Sequence, residues 1–187
     1  MTFKPPYWHH DNIKFPDEEI KILKSEMSSR REFLSEKDPR KDQVTSFFVD
    51  QRIRTEKKFN KRYDQIVEDI VKNVGLYRMV RYEYQYWAQL YLQNHKHNPH
   101  QHSRKINEEA RKNEELIMSW VHFLDVPKQK YFRFLDNDGN FLVRDEQSSG
   151  DIIVFPSWVW HEVLPNESNE QRIVISGNIS VTLYDNY

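Results

Sequence analysis

Two periodicities divide the chain. Up to about residue 77 apolar residues recur at intervals of three and four; from Arg78 on they alternate with polar ones. Pro16 stands where a first helical residue belongs, followed by Asp17, Glu18 and Glu19 at the positive end of the helix dipole. Ile20, Leu23 and Met27 then fall on one helical face, and Leu34 continues it beyond a gap. The charged stretch 36–41, with Pro39, ends that helix. A second helix is predicted from Glu56 to Asn73, with Phe59, Tyr63, Ile66, Ile70 and Val71 as its apolar stripe and Gly75 as its cap. The period then drops to two. Val80, Tyr82, Tyr84, Tyr86, Ala88, Leu90 and Leu92 share one face of a long strand; Arg81, Glu83, Gln85, Trp87 and Gln89 share the other. Further strands are predicted at Ile117–Leu124, Tyr131–Leu135, Phe141–Val143, Ile152–Phe155, Trp158–Val163 and Arg172–Leu183. Asn137-Asp138-Gly139-Asn140 forms a hairpin turn between two of them. About seven antiparallel strands after a helical preface predict a mainly β fold with some α, a sandwich or jelly roll backed by helices on one sheet. We expect a single domain, 1–187: a helical layer over 1–77 and a β core over 78–187.

Composition supports a compact chain. At 187 residues one domain suffices. Apolar residues are only 37%, but five Trp, ten Tyr and eleven Phe supply large buried area each, so the low fraction does not imply disorder. The net charge of −1 argues against long nucleic acid as a partner. The absence of Cys excludes disulfides, thiolate metal sites and Cys nucleophiles, and fits a reducing, cytoplasmic setting. The longest strictly apolar run, Ile152–Phe155, is too short to span a membrane, and Met1–His10 lacks the apolar core of a secretory signal. With four Gly in the chain, a glycine-rich phosphate loop is excluded, and no nucleophile elbow supports serine hydrolase chemistry.

The histidines change the picture. Of eight, four fall in Asn-His-Lys-His-Asn-Pro-His-Gln-His: His95, His97, His100 and His102. His100 and His102 are two apart, so on extended chain both point to one side, as a shared metal requires. A distant His161 follows Phe155-Pro156-Ser157-Trp158 and can converge on them at a jelly-roll mouth. Neutral imidazoles suit Fe, Zn, Cu or Ni. Eleven residues beyond His161, Arg172 opens the last strand, with Val174, Ser176, Asn178 and Ser180 on its face and Ile173, Ile175 and Ile179 on the other. If the Ile face packs on the N-terminal helices, Arg172 lies inside, where a guanidinium can clamp a carboxylate with two parallel hydrogen bonds.

With these residues the chain resembles the Fe(II)/2-oxoglutarate-dependent oxygenase superfamily, and most closely the small oxygenases common in phage and marine bacterial genomes. The resemblance rests on His100-Gln101-His102, Ser119–Leu124, Gly150-Asp151-Ile152-Ile153-Val154-Phe155-Pro156-Ser157-Trp158 ending in His161, and Arg172-Ile173-Val174-Ile175-Ser176-Gly177-Asn178. It covers about residues 78–183. It implies a double-stranded β-helix with Fe(II) held by His100, His102 and His161. Arg172 would take the distal carboxylate of the 2-oxoglutarate co-substrate, with Ser176 and Asn178 nearby. It implies a dioxygenase, an oxidoreductase that decarboxylates 2-oxoglutarate to succinate and hydroxylates a substrate. The superfamily's usual first motif, however, is His-X-Asp or His-X-Glu. Here His102 stands in that place, and His97 or a carboxylate such as Glu109 are alternatives. A three-His set also resembles cupin dioxygenases that use no 2-oxoglutarate. A third reading is a non-enzymatic jelly-roll interaction or phage structural protein.

Smaller features complete the expectations. Residues 103–116 carry four oppositely charged pairs at spacing four, Arg104–Glu108 among them, and read as a surface helix or as a lid. His9-His10-Asp11 reads as a free terminal loop, and His122 as a satisfied core histidine. Trp120 would reshape whichever side it faces. Trp87, Tyr91, Trp120, Trp158 and Trp160 furnish aromatic walls for a small-molecule, amino-acid or peptide substrate. The long first strand or the N-terminal helices offer a face for a homodimer.

Overall fold

A computed structural model describes residues 8–10, 12–32, 44–47, 49, 54–74, 80–102, 116–127, 129–136, 138, 141–143 and 146–183. Among the described residues, ten strands, two α-helices and a 3-10 helix follow one another along the chain. They are β1 (Trp8–His10), α1 (Asp17–Glu32), β2 (Val44–Thr45), a 3-10 helix (Thr55–Phe59), α2 (Asn60–Asn73), β3 (Val80–Tyr91), β4 (His97–His100), β5 (Leu116–Asp125), β6 (Phe132–Leu135), β7 (Phe141–Val143), β8 (Ile152–Pro156), β9 (His161–Val163) and β10 (Arg172–Leu183). Two antiparallel sheets form a jelly roll that is not closed into a barrel. One has six strands in the order β1-β8-β5-β10-β3-β2; the other has four, β4-β9-β6-β7.

The period-two pattern decides which face of the large sheet meets which layer. Tyr86, Ala88 and Leu90 of β3, and Ile173, Ile175 and Ile179 of β10, pack with Leu23 and Met27 of α1 and Tyr63, Val67 and Ile70 of α2. The opposite face supplies Tyr91, Val121, Phe123, Ile153 and Val174 to a second core shared with Phe132 and Phe134 of β6. The helices therefore cover one side of the large sheet and leave the other for the space between sheets. Such burial is worth about 25 cal/mol per Å² of apolar surface removed from water.

Trp120 faces the helices. Its ring lies 5.1 Å from that of Tyr63 and 6.3 Å from that of Tyr86. It lies over Gly177, where a Cβ would come within 2.4 Å of Trp120 Cε2. Glycine at 177 is what admits an indole flat against β10, the neighbouring strand. His122 is buried on the same side, 2.9 Å from Tyr63 Oη through Nδ1 and donating through Nε2 to Ile13 O at 2.7 Å. Both ring nitrogens are satisfied, and burial pushes its pKa down to about 4.

Several expectations need adjusting. Trp8–His10 is not a free loop; β1 pairs antiparallel with Ile152–Val154 of β8. β2 likewise joins the large sheet, pairing Val44 with Leu90 and Thr45 with Gln89. The strand predicted over Trp158–Val163 is shorter, because Ser157–Val159 form a turn closed by Val159 N–H donating to Pro156 O at 3.0 Å. Leu34, Gly75, the 103–115 segment with Glu109, and most of the 137–140 turn lie outside the described residues.

Candidate metal centre and co-substrate site

Strand pairing assembles three imidazoles. β4 and β9 run antiparallel with His100 directly opposite His161, and their rings approach to 4.3 Å. His102, just past β4, is fixed by its backbone N–H donating to Ser157 O at 2.8 Å, in the turn that leads into β9. Its ring then lies 5.1 Å from His100 and 5.2 Å from His161. Ligand nitrogens of His100, His102 and His161 lie within 4.8 Å of one another, a group that could hold a metal ion.

Hydrogen bonds set the tautomers. His100 Nδ1 lies 2.8 Å from Asn98 O, and His161 Nδ1 2.9 Å from Val159 O. His102 Nδ1 lies 3.1 Å from Asn178 Oδ1. Each Nδ1–H thus donates to an oxygen, which leaves each Nε2 lone pair available for a metal. Asn178 is held in turn: its Oδ1 also accepts from Ser119 Oγ at 2.8 Å, and Ser119 Oγ accepts from Ser157 Oγ at 2.9 Å. Burial, and then repulsion from neighbouring imidazoles, disfavour the charged form of His161 and His102. The pKa of His161 falls to about 2 and that of His102 is also lowered.

A fourth histidine, His97, lines the same cavity, its ring 5.2 Å from that of His100. Tyr91 gives its hydroxyl proton to Gln89 Oε1 at 3.1 Å, so His97 Nδ1, 3.0 Å away, donates to the tyrosine oxygen. Ser176 Oγ donates to the same Gln89 oxygen at 3.0 Å. His97 Nδ1 is tied to this chain of hydrogen bonds, and the three-His group does not include His97.

Arg172 lies on the inner face of β10, below a bulge between Ile173 and Val174 that shifts the register with β5. It is 1% exposed. Its guanidinium lies over the rings of both Tyr91 (4.4 Å) and Tyr131 (4.2 Å). Nη2 donates to Leu164 O at 3.1 Å, while Nε and Nη1 have no partner among the described residues. Aromatic faces steady a cation without neutralising it. Burial lowers its pKa to about 10, which still leaves it charged at neutral pH.

A family model described as "Putative 2OG-Fe(II) oxygenase" matches residues 85–178, half of the chain. The chain belongs to this family. It is an Fe(II)- and 2-oxoglutarate-dependent oxygenase, an oxidoreductase. No curated protein matches this oxygenase by sequence. Among solved structures it is similar to a prolyl-4-hydroxylase from Pseudomonas putida at 16% identity, covering 96% of this chain and 94% of that one, with a TM-score of 0.57. It is also similar to AviO1 from Streptomyces viridochromogenes at 13% identity, with 94% and 90% covered and a TM-score of 0.65. A third is a viral collagen prolyl hydroxylase from Paramecium Bursaria Chlorella virus-1, solved with 2-oxoglutarate. It shows 14% identity, 93% and 95% coverage, and a TM-score of 0.61. At these identities the likeness concerns the fold.

Within the oxygenase, His100, His102, His161, Ser176 and Asn178 border one cavity of about 380 Å³. Arg172 shares the β10 face of Ser176 and Asn178 but does not line the cavity; Val174 stands between it and Ser176 on β10. Trp87 lines the cavity, whereas Trp158 and Trp160 are half exposed on the β8–β9 connection outside its lining. Sequence reasoning missed three things. Asn178 touches a histidine, Tyr131 is a second ring under the Arg172 guanidinium, and His97 is tied to Tyr91. Only the alternation on β10 hinted at the first, by placing Asn178 inward. Among the described residues no helix is long and apolar enough to cross a membrane.

Proposed function

We propose that the protein is a hydroxylase in which His100, His102 and His161 hold Fe(II) and Arg172 receives the distal carboxylate of 2-oxoglutarate. The observation that carries this reading is the convergence of three imidazoles with each Nδ1–H already donated to an oxygen. Three protein ligands on one side leave open positions on the other, as a metal that must also take a chelating co-substrate and oxygen requires. The donor set fits the metal, because all-nitrogen imidazole sites bind divalent iron without needing a carboxylate.

The co-substrate fits as well. Arg172 is a buried cation with two unpartnered nitrogens and, among the described residues, no carboxylate beside it. Leaving such polar atoms bare costs several kcal/mol in general, so an anionic ligand is the natural occupant. This also weighs against a cupin that uses no 2-oxoglutarate, where Arg172 would have no duty.

When bound, iron and 2-oxoglutarate supply the oxidising chemistry: substrate C–H, O₂ and 2-oxoglutarate become substrate C–OH, succinate and CO₂. The chain's own residues hold and orient. Asn178 accepts from His102 Nδ1–H and so leaves Nε2 as that ring's free lone pair. Val159 O and Asn98 O do the same for His161 and His100. Tyr91 and Tyr131 fix the guanidinium plane of Arg172.

The test is an anaerobic Fe(II) titration with and without 2-oxoglutarate, followed by the visible charge-transfer band of the chelated co-substrate. A band saturating at about one equivalent, lost in Arg172→Leu and in His161→Ala, is the expected result. Metal binding that leaves the band identical in Arg172→Leu would reject the arginine's role. Aerobic succinate release with a product heavier by one oxygen atom identifies hydroxylation.

A further inference from the structure

Away from the histidines, the cavity wall carries no acid or base among the described residues that line it. Thr45, Phe47, Gln85, Trp87, Gln89 and Ser180 form one side of it. Gln85 lies directly across the β3–β10 ladder from Asn178, and Trp87 across from Ser176. The amide of Gln85 therefore stands beside the asparagine that turns His102. Gln85 is exposed at the mouth and its side-chain amide forms no hydrogen bond with another described residue, unlike that of Gln89, whose Oε1 is engaged by Tyr91 and Ser176. Phe47 meets Trp87 edge-on, with ring centroids 4.9 Å apart at 74°, which makes an apolar corner on the same wall as that amide.

Charge at the centre adds a second constraint. If the proposed function holds, three neutral imidazoles add nothing to the two positive charges of iron; the carboxylate that chelates iron offsets one of them, and Arg172 offsets the distal carboxylate, so the centre keeps one net positive charge. A carboxylate among the ligands would bring that charge to zero, so this centre disfavours a cation more. The described residues of the wall offer no counter-charge of either sign, so a charged group lying against them would lose its hydration uncompensated.

We infer that the substrate moiety admitted to this cavity is uncharged and amide-bearing, its donor and acceptor read together by Gln85 and its apolar body laid against Trp87 and Phe47. A glutamine side chain offers a donor and an acceptor side by side, the complement of another amide; a carboxylate or an ammonium can use only half of it. This inference rests on the proposed metal and co-substrate reading for the position of the reacting carbon, but not for the recognition itself.

The experiment uses two sets of probes. One holds N-acetylated, C-amidated amino acids with proline, leucine and phenylalanine side chains; the other holds the same amino acids with free, charged termini. Binding is read by ligand-observed NMR on protein loaded with redox-inert Zn(II) and 2-oxoglutarate, and turnover by succinate release with Fe(II). Capped probes should bind and free amino acids should not. Gln85→Leu should weaken capped-probe binding by about tenfold while the charge-transfer band of the Fe(II) form persists. Trp87→Ala, read the same way, should weaken the probes with the largest side chains most. Charged probes binding as well as capped ones, capped probes that do not bind, or Gln85→Leu indistinguishable from the parent would each overturn the inference. A missing charge-transfer band in the parent would sink the metal reading instead, and is seen separately from probe binding.

Discussion

At the scale of single residues, the candidate site depends on hydrogen bonds that fix ring nitrogens. Asn178 has no other visible task than to accept from His102 Nδ1–H while itself held by Ser119. Asn178→Ala should therefore weaken metal affinity by about 10–100-fold without unfolding the protein, as loss of a ligand's outer partner does. Asn178→Asp, which still accepts, should recover most of it; competition with a chromogenic chelator measures both. His122 makes the contrasting case, a histidine whose partners serve stability. In the folded protein it protonates only near pH 4, against about 6.5 in an unfolded chain. Between those values the unfolded state binds more protons. Its contribution is thus complete above about pH 6.5 and is lost as pH falls toward about 4, on the order of 3 kcal/mol in all. His97 and His161 in metal-free protein act in the same direction. Urea midpoints at about pH 7 and about pH 5 should differ less in His122→Leu than in the parent; an equal difference would mean His122 does not titrate this way. The convergence of His100, His102 and His161 was legible because spacing two and a distant third histidine are properties of the sequence. The partners were not, because Asn178 and Asn98 acquire meaning only when strands pair.

At the scale of elements, long strands announced themselves and short ones did not. β3, β5 and β10 each hold enough alternating positions to show a period of two, and the Ile face of β10 correctly pointed to the helices. β1, β2 and β4 have three, two and four residues, too few for any period, and they exist because a neighbouring strand edge supplies hydrogen bonds. Orientation of Trp120 was likewise invisible until Gly177 appeared opposite it. That pair yields a prediction about β10 as an element. Gly177→Ala places a Cβ 2.4 Å from the indole, and the strand must shift or the ring must leave, at a cost of about 1–3 kcal/mol. Trp120→Leu removes the obstructing ring and opens a cavity, so alone it should also destabilise. Combined, the two should cost clearly less than their sum, because the added methyl occupies space the ring vacated. Additive denaturation midpoints would show that the glycine is required for some other reason.

At the scale of the whole molecule, the candidate site ties the two sheets together. His100 and His161 belong to the small sheet, whereas the oxygen that orients His102 comes from Asn178 on the large one. The first 77 residues are also more than a cover for the core. β1 and β2 edge the large sheet, and α1, α2, β3, β5, β8 and β10 contribute to one apolar cluster. Neither the helices nor the large sheet can bury that cluster alone. We propose that the chain folds as one cooperative domain, and that metal binding stabilises the whole of it. A ligand that binds only the native state at about a hundred times its dissociation constant adds about 2.7 kcal/mol. For a chain of this length that corresponds to a rise of roughly 5–10 °C in Tm. Calorimetry of metal-free protein should give one transition with calorimetric and van't Hoff enthalpies in agreement. Zn(II) should move that transition upward undivided, and in His161→Ala the shift should vanish. Two transitions, with only the later one responding to metal, would mean that the N-terminal layer melts independently and that the edge strands contribute little to holding the site.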